Sequence, residues 1–170
     1  MTPEPDMKTI YLLRHAKSSW KDESLSDIER PLNGRGKKAA ETMGAFLKKE
    51  KIVVDLVLSS SAVRARQTID RVLVAANIVT DVRFDERIYE AGVQRLVEIV
   101  RQIENGKKNV VLVGHNPGFE EFLEWLTGTL ETMQTGTLAK IGLKTASWDS
   151  ISEKSGTLEW IVRPRQLQKD

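Results

Sequence analysis

Cysteine is absent from the sequence, so the chain forms no disulfide bond and has neither a cysteine nucleophile nor a thiolate metal site. Long apolar runs are absent too, because no segment approaches the roughly 20 apolar residues of a membrane-spanning helix. Histidine occurs only twice, as His15 and His115. The opening segment MTPEPDM is polar and unlike a signal peptide, so we expect a soluble, cytoplasmic protein.

A strong excess of one charge is also missing. The 26 basic and 24 acidic residues leave a formal net charge of +2, which favours neither a nucleic-acid nor a membrane partner. A hydrophobic content of 40% and a length of 170 residues are typical of one globular domain. We expect a disordered tail at residues 1–6 and a single domain over 7–170. The oligomeric state stays open, with a monomer favoured over an oligomer.

Short apolar runs alternate with helically periodic stretches along the chain. The runs predict strands at 8–13, 53–58, 82–84, 110–113, 138–143 and 158–162. Apolar residues spaced three and four apart predict helices over 37–48, 65–76 and 93–103, and another after Pro117. This alternation predicts an α/β fold with a mostly parallel sheet, helices on both faces and antiparallel strands near the C-terminus.

Reactive side chains directly follow three of the predicted strands. Arg14 and His15 follow the first strand, and His115 follows the strand at 110–113. Arg64 lies in the first turn of the helix after the second strand, where Ser60 is predicted to cap the helix. Ligands of open α/β sheets bind beyond the carboxyl ends of the strands, so we expect these groups to share one rim. Because guanidinium groups match phosphate oxygens in charge and geometry, the set predicts a phosphoryl-binding pocket.

The same residues indicate nucleophilic chemistry. Neighbouring cations disfavour the protonated form of a histidine, which leaves a ring nitrogen free to attack. A helix that starts near Pro117 would add amide donors and the positive end of its dipole. Two histidines on separate strands, with no obvious third ligand, do not predict a metal site. The segment NGRGKK at 33–38 does not match a nucleotide-binding loop, so we expect no cofactor.

Four segments resemble motifs of the histidine phosphatase superfamily, the family with the phosphoglycerate mutase-like fold, and occur in the family's order. They are LLRHAKS, PLNGRGKKAAETMGAFL, SSSAVRARQT and VGHNP, which lie between residues 12 and 117. Lys17 and the segment WIVRPRQL at 160–167 resemble the SixA-type phosphohistidine phosphatase branch. Larger members of the family usually carry Glu and Asn at the positions of Lys17 and Lys21, so this chain departs from them there.

The resemblance implies a metal-independent phosphatase in which His15 becomes transiently phosphorylated. Arg14, Arg64 and His115 are then expected to bind the phosphoryl oxygens and to stabilise the transition state. These assignments use both histidines of the chain.

The resemblance also implies a general acid near residue 90 and further substrate contacts. Glu90 is the expected general acid, with Glu86 and a plain surface carboxylate as alternatives. Lys17 and Asn116 are the expected substrate-binding residues.

The expected substrate is a phosphorylated protein, above all one that carries phosphohistidine, or a small phosphorylated molecule. Two alternatives remain, a mutase-like phosphotransferase and a phosphate-binding module without catalysis. Mutases of this family carry insertions that enclose the substrate. Only about 25 residues separate Thr68 from the next predicted helix, which favours an open pocket and water as the phosphoryl acceptor.

Overall fold

The structure is a computed structural model that describes residues 7–168. Its strands are β1 (Lys8–Arg14), β2 (Leu56–Ser59), β3 (Asp81–Phe84), β4 (Asn109–Gly114), β5 (Leu138–Leu143) and β6 (Gly156–Val162). Its helices are α1 (Gly34–Lys49), α2 (Val63–Ala76), α3 (Val93–Arg101), α4 (Gly118–Thr127) and α5 (Pro164–Leu167). The predicted tail at residues 1–6 lies outside the described residues.

All six strands form one sheet in the order β3-β2-β4-β1-β5-β6. The first four of these pair in parallel, and β5 and β6 pair antiparallel. Parallel neighbours need crossover connections, which α1, α2 and α3 provide between β1, β2, β3 and β4. The predicted fold class is therefore confirmed, and the carboxyl ends of β1, β2 and β4 meet at one edge of the sheet.

The two faces of the sheet carry separate hydrophobic cores. Successive side chains of a strand point to opposite faces, so Ile10 and Leu12 face one core while Tyr11 and Leu13 face the other. The first core includes buried side chains of α3 and α4, and the second includes buried side chains of α1 and α2. Burial on both faces explains why β2 and β4 read as continuous apolar runs in the sequence.

The two largest differences between predicted and observed boundaries lie at the starts of α1 and β2. Helix α1 begins at Gly34 rather than at residue 37, because the Asn33 side chain accepts a hydrogen bond from the Gly36 amide at 2.8 Å and caps the helix. Strand β2 begins at Leu56 rather than at residue 53, because pairing with β4 starts there, and Val53 is exposed.

The C-terminal part contains the predicted antiparallel hairpin of β5 and β6. Helix α5 was not predicted, because its four residues are too short to show a helical period. None of the helices among residues 7–168 has the length and hydrophobicity needed to cross a membrane.

Candidate active site

The strand ends bring the two histidines together. Parallel pairing of β1 with β4 sets Arg14 opposite Gly114, so that the residues immediately after each strand, His15 and His115, lie side by side. The His15 amide donates to the Gly114 carbonyl oxygen at 3.0 Å, and the centroids of the two imidazole rings are 5.1 Å apart. Both side chains are buried. The register of β1 against β4 therefore places the two histidines side by side.

The hydrogen bond of His15 determines which ring nitrogen can react. Its Nδ1 lies 2.7 Å from the carbonyl oxygen of Ala16. A carbonyl oxygen only accepts hydrogen bonds, so Nδ1 carries the proton and Nε2 holds the lone pair. Burial lowers the pKa of His15 to about 4, and the positive charges of Arg64 and Arg14 act in the same direction against the Ala16 hydrogen bond. At neutral pH the His15 imidazole is thus uncharged, and the lone pair of its Nε2 carries no proton.

His115 presents a nitrogen that has no partner. Its Nε2 lies 2.8 Å from Ser60 Oγ, whereas its buried Nδ1 has no hydrogen-bond partner among the described residues. Burial lowers the pKa of His115 to about 3, and His15 and Arg64 add to the effect. The predicted helix cap at Ser60 is wrong. Ala62 is the N-cap residue of α2, and the Ser60 hydroxyl accepts a hydrogen bond from the Ala62 amide while it contacts His115.

Arg64 is buried at the start of α2, beside both histidines. Its two terminal nitrogens donate to Asp27, to the carbonyl oxygen at 2.7 Å and to Oδ2 at 3.0 Å, and its Nε has no partner. Thr68 links this part of α2 to the chain after His15. The Thr68 hydroxyl accepts from the Ala16 amide at 2.9 Å and donates to the Arg64 carbonyl at 2.7 Å. The position of Arg64 is therefore set by hydrogen bonds on two sides.

Sequence reasoning missed Asp27 and Tyr89. Asp27 Oδ2 accepts hydrogen bonds from Arg64 and from the Tyr89 hydroxyl, and the Tyr89 ring stands edge-on to His115 with centroids 5.4 Å apart. The Tyr89 hydrogen bond, with help from Arg64 and Arg30, lowers the pKa of Asp27 to about 2. Asp27 lies 37 positions from Arg64 and 62 from Tyr89, so no local spacing signals the contact.

Arg14 and Asn116 meet at the carbonyl oxygen of Met133. Arg14 Nη1 donates to that oxygen at 3.0 Å, and Asn116 Nδ2 donates to it at 2.8 Å and to Glu120 Oε2 at 2.9 Å. The Arg14 Nε and the Asn116 Oδ1 are buried without partners. Burial lowers the pKa of Arg14 from its usual value, and Glu120 opposes that shift. Met133 and Glu120 thus orient two of the predicted site residues, a role that the sequence did not indicate.

The other two predicted residues lie on the surface. Lys17, two positions after His15, is exposed. Glu90 is also exposed and follows Tyr89 directly, with a left-handed backbone conformation at φ 59°. The Glu90 side chain makes no hydrogen bond or ion pair within residues 7–168, so its role as general acid stays a prediction.

Five buried polar atoms have no hydrogen-bond partner in the described part of the chain: Arg14 Nε, Arg64 Nε, His115 Nδ1, Asn116 Oδ1 and Thr137 Oγ1. All five belong to residues at the carboxyl ends of β1, β2 and β4 or beside them. Buried groups of this kind are rare, and each costs free energy unless something satisfies it. Donors and positive charge around one nucleophilic nitrogen are suited to an anionic group such as a phosphoryl. Over residues 7–168, no three histidine or acidic side chains come together as a metal site would require.

Comparisons with known proteins identify the family. Residues 10–93 match the model of the histidine phosphatase superfamily (branch 1). An uncharacterised protein of Mycobacterium tuberculosis (strain H37Rv) is 36% identical over 105 residues, which are 62% of this chain and 63% of that protein. The matched segment therefore spans less than two thirds of that relative. An uncharacterised protein of Mycobacterium leprae (strain TN) is 31% identical over 120 residues, 69% of this chain and 72% of that protein.

Two further similarities point to one branch of the family. Phosphohistidine phosphatase SixA of Escherichia coli (strain K12) is 25% identical over 164 residues, which are 94% of this chain and 96% of that protein. The SixA structure from Nakamurella multipartitia superimposes with a TM-score of 0.83 at 25% identity and covers 95% of this chain and 99% of that one. The chain belongs to the histidine phosphatase superfamily and is of the SixA type.

Proposed function

We propose that the protein is a phosphatase that hydrolyses its substrate through a phosphohistidine intermediate on His15. The observation that carries the proposal is the hydrogen bond from His15 Nδ1 to the Ala16 carbonyl. It leaves Nε2 with a lone pair, and the low pKa of His15 keeps that lone pair free of a proton at neutral pH. Arg14, Arg64 and His115 lie close to His15, and each has a buried nitrogen without a hydrogen-bond partner among residues 7–168.

In the first step, His15 Nε2 attacks the phosphorus atom. A P–N bond forms, and the bond from phosphorus to the leaving group breaks, with its electron pair going to that group. Arg14, Arg64 and the His115 N–H are the donors for the equatorial oxygens of the transition state. The Ser60 hydroxyl, when it donates to His115 Nε2, keeps the proton on Nδ1, which makes Nδ1 the donor toward the phosphoryl group.

In the second step, water attacks the phosphorus atom of phosphorylated His15. The P–N bond breaks, its electron pair returns to Nε2, and inorganic phosphate leaves. Glu90 is our candidate for the acid that protonates the leaving group, and its carboxylate would then accept the proton of the attacking water. Its place beside Tyr89, whose ring contacts His115, supports this assignment.

We propose a protein that carries phosphohistidine as the substrate. The name of the Escherichia coli relative, phosphohistidine phosphatase, supports this class. The connection between α2 and α3 supports it too, because residues 77–92 contain only β3 and one 3-10 helix and no inserted lid. An open rim admits a side chain that projects from a folded partner. Phosphorylated imidazole is also a better leaving group than an alkoxide once it is protonated.

The proposal is tested by trapping the intermediate. Wild-type enzyme mixed with 32P-labelled substrate and quenched within milliseconds should carry label that is stable to base and labile to acid. Peptide mapping should place it on His15. The His15→Ala variant should carry no label and should lose at least about 10⁴-fold in kcat/KM for p-nitrophenyl phosphate. Near-normal turnover by this variant would overturn the mechanism.

The same assay tests whether the chemistry needs a metal. We expect turnover to be unchanged after prolonged treatment with EDTA, because arginine and histidine donors supply the positive electrostatic environment of the transition state. Vanadate should inhibit more strongly than inorganic phosphate, since it mimics the trigonal-bipyramidal transition state. Loss of activity on chelation and its recovery with a divalent ion would contradict this expectation.

A further inference from the structure

An open cleft of about 510 Å³ adjoins the proposed active site. We call it the basic cleft, since four of the residues that line it are cations: Lys17, Arg35, Lys38 and Arg165. Gln134 and Pro164 complete much of the remaining wall. The function proposed above does not use Arg35, Lys38 or Arg165.

Backbone hydrogen bonds connect residues at the basic cleft to the proposed active site. Lys17 follows His15 by two positions, and its carbonyl oxygen accepts a hydrogen bond from the Asn33 amide at 3.0 Å, just before α1. On the other side, Gly136 directly follows the lining residue Thr135, and its amide donates to the carbonyl oxygens of Arg14 and His15 at 3.0 and 2.9 Å. A segment bound in the cleft would therefore lie next to the phosphoryl group on its way to His15.

The cations of the basic cleft have no acidic partners in the described part of the chain. Several other surface arginines do have them. Arg71 pairs with Glu41 at 2.8 Å, and Arg83 pairs with Glu104 at 2.6 Å. None of the four cleft cations forms an ion pair with a residue between 7 and 168. Among those residues, positive charge is thus concentrated beside the site without a paired carboxylate.

The placement of Arg35 and Lys38 works against the stability of α1. Arg35 lies in the first turn, at the positive end of the helix dipole, and Lys38 follows that turn, which holds no acidic residue. A cation in the first turn destabilises a helix, whereas Lys48 and Lys49 in the last turn stabilise it. Helix stability therefore does not account for the cations at the cleft, whereas an anionic partner bound there would.

We propose that the basic cleft binds acidic side chains that flank the phosphorylated histidine of a protein substrate. This inference rests on the proposed phosphatase function and specifies its substrate as an acidic polypeptide segment. An extended chain advances about 3.4 Å per residue, so carboxylates a few positions from the phosphohistidine reach a wall that begins at Lys17. Attraction between them and the cleft raises kcat/KM and is weakened by salt.

Two synthetic peptides test the proposal. Both carry one phosphohistidine made with phosphoramidate, flanked on each side by Glu and Asp in one peptide and by Gln and Asn in the other. At low ionic strength the wild-type protein should hydrolyse the acidic peptide with a kcat/KM at least about tenfold higher. The preference should disappear in about 0.5 M NaCl, where the Debye length is only a few ångströms.

Two variants with the same change in net charge locate the effect. In Arg35→Gln/Lys38→Gln/Arg165→Gln, kcat/KM for the acidic peptide should fall to the value for the neutral peptide. Turnover of p-nitrophenyl phosphate should stay within twofold of the wild type. The control Lys48→Gln/Lys49→Gln/Lys144→Gln removes exposed lysines elsewhere and should keep the preference. Because of the helix dipole, the cleft variant should melt no lower than the control variant, so a loss of fold cannot explain its result.

The outcomes separate the cleft proposal from the proposed phosphatase function. Equal kcat/KM for the two peptides in the wild type, or equal losses in both variants, overturns the cleft proposal and leaves the phosphatase standing. Binding is read in parallel by fluorescence anisotropy, with both peptides rebuilt on a stable phosphonate analogue of phosphohistidine. If the wild type hydrolyses none of the phosphorylated substrates yet binds the acidic analogue through the cleft, the proposed phosphatase function is wrong and the cleft proposal is retained. No turnover and no preferential binding overturns both.

Discussion

At the amino ends of β1, β2 and β4, buried polar groups find partners within the chain, whereas at the carboxyl ends of the same strands several do not. At the amino ends, the nearly buried Lys8 donates to the Asn105 carbonyl, and the indole of the buried Trp148 donates to the Lys107 carbonyl at 2.7 Å. Asp55 Oδ2 accepts from the amides of Lys108 and Asn109. The five buried atoms that have no hydrogen-bond partner within residues 7–168 all lie at or beside the carboxyl ends.

From this contrast we expect the amino ends of the strands to contribute to stability and the carboxyl ends to serve binding. The two ends share the same strands and the same two cores, so their hydrophobic support is similar. An unpartnered buried donor costs about 1–3 kcal/mol, a cost that the amino end avoids. At the carboxyl end, several buried donors near His15 have this free-energy cost, and hydrogen bonds to a bound phosphoryl group would remove it. Substitutions at the two ends should therefore separate activity from stability.

The largest expected effect is the loss of Arg64. Arg64→Ala removes a donor to the transition state and should lower kcat/KM for p-nitrophenyl phosphate about 10²- to 10³-fold. The melting temperature should change little, because the carboxylate that Arg64 leaves behind, Asp27, is 47% exposed and remains solvated. Arg71→Ala on the same helix is the matched control and should retain activity, since Arg71 pairs only with Glu41 on the surface. A loss below fivefold in Arg64→Ala would remove this residue from the proposed mechanism.

The next effect is a loss of stability in mild acid. The pKa values of His15 and His115 are about 4 and about 3 in the folded protein and lie near 6.5 in the unfolded chain. Between these values the unfolded chain binds more protons, so the free energy of unfolding falls as the pH drops from about 6.5 toward 4. The loss should be on the order of 3 kcal/mol for His15.

Urea denaturation at pH 7 and pH 4.5 measures this dependence. His15→Asn keeps a polar side chain of similar size that does not titrate, and it should remove about half of the pH dependence, because His115 still titrates. Asp27 does not interfere, because its folded pKa of about 2 means that its contribution is present above pH 4 and is lost only below. An unchanged loss of stability between pH 7 and pH 4.5 in His15→Asn would show that His15 does not contribute to the pH dependence.

A smaller effect, on stability alone, is expected at the amino end. Asp55→Ala leaves the amides of Lys108 and Asn109 without their carboxylate acceptor and should cost about 1–2 kcal/mol in the free energy of unfolding. Turnover of p-nitrophenyl phosphate should stay within twofold of the wild type. Asp70→Ala, at an exposed position of α2, serves as a control for lost surface charge. If Asp55→Ala loses tenfold in activity without loss of stability, the assignment of stability to the amino ends and of activity to the carboxyl ends is wrong.

The smallest effect is expected for Glu90, and it tests whether this residue takes part in the reaction. If Glu90 protonates the leaving group, Glu90→Gln should lower kcat/KM about tenfold for phenyl phosphate and less than twofold for p-nitrophenyl phosphate, whose leaving group departs without a proton. Glu86→Gln tests the alternative acid in the same assay. Equal effects of Glu90→Gln on both substrates would point to binding instead, and no effect on either would leave Glu90 a surface carboxylate.

Much of the fold was predictable because its signals are local. The apolar period of each helix and the short apolar runs of the strands lie within a few residues of one another, so element types and the fold class were predicted correctly. The errors occurred where a distant partner or a single side chain sets a boundary. The start of β2 depends on its pairing with β4, and the start of α1 depends on the Asn33 cap.

The site residues followed from the same logic, because their motifs sit directly after strands. His15 and His115 follow β1 and β4, and parallel register sets them side by side. The role of Ser60 was predicted wrongly, since the sequence shows that a serine precedes α2 but not that His115 lies 2.8 Å from its hydroxyl.

The α/β alternation, the expected chemical class of the pocket and the identity of its charged residues could be predicted from the sequence, because each depends on local pattern and residue type. The free nitrogen of His15 could not be predicted, because it depends on the backbone and side-chain conformation that brings Nδ1 to the Ala16 carbonyl oxygen. Tertiary packing also places Asp27 against Arg64 and Tyr89, and brings Lys17, Arg35, Lys38 and Arg165 to one cleft. Burial and contacts between residues far apart in the chain arise when the elements pack, and no local spacing encodes them.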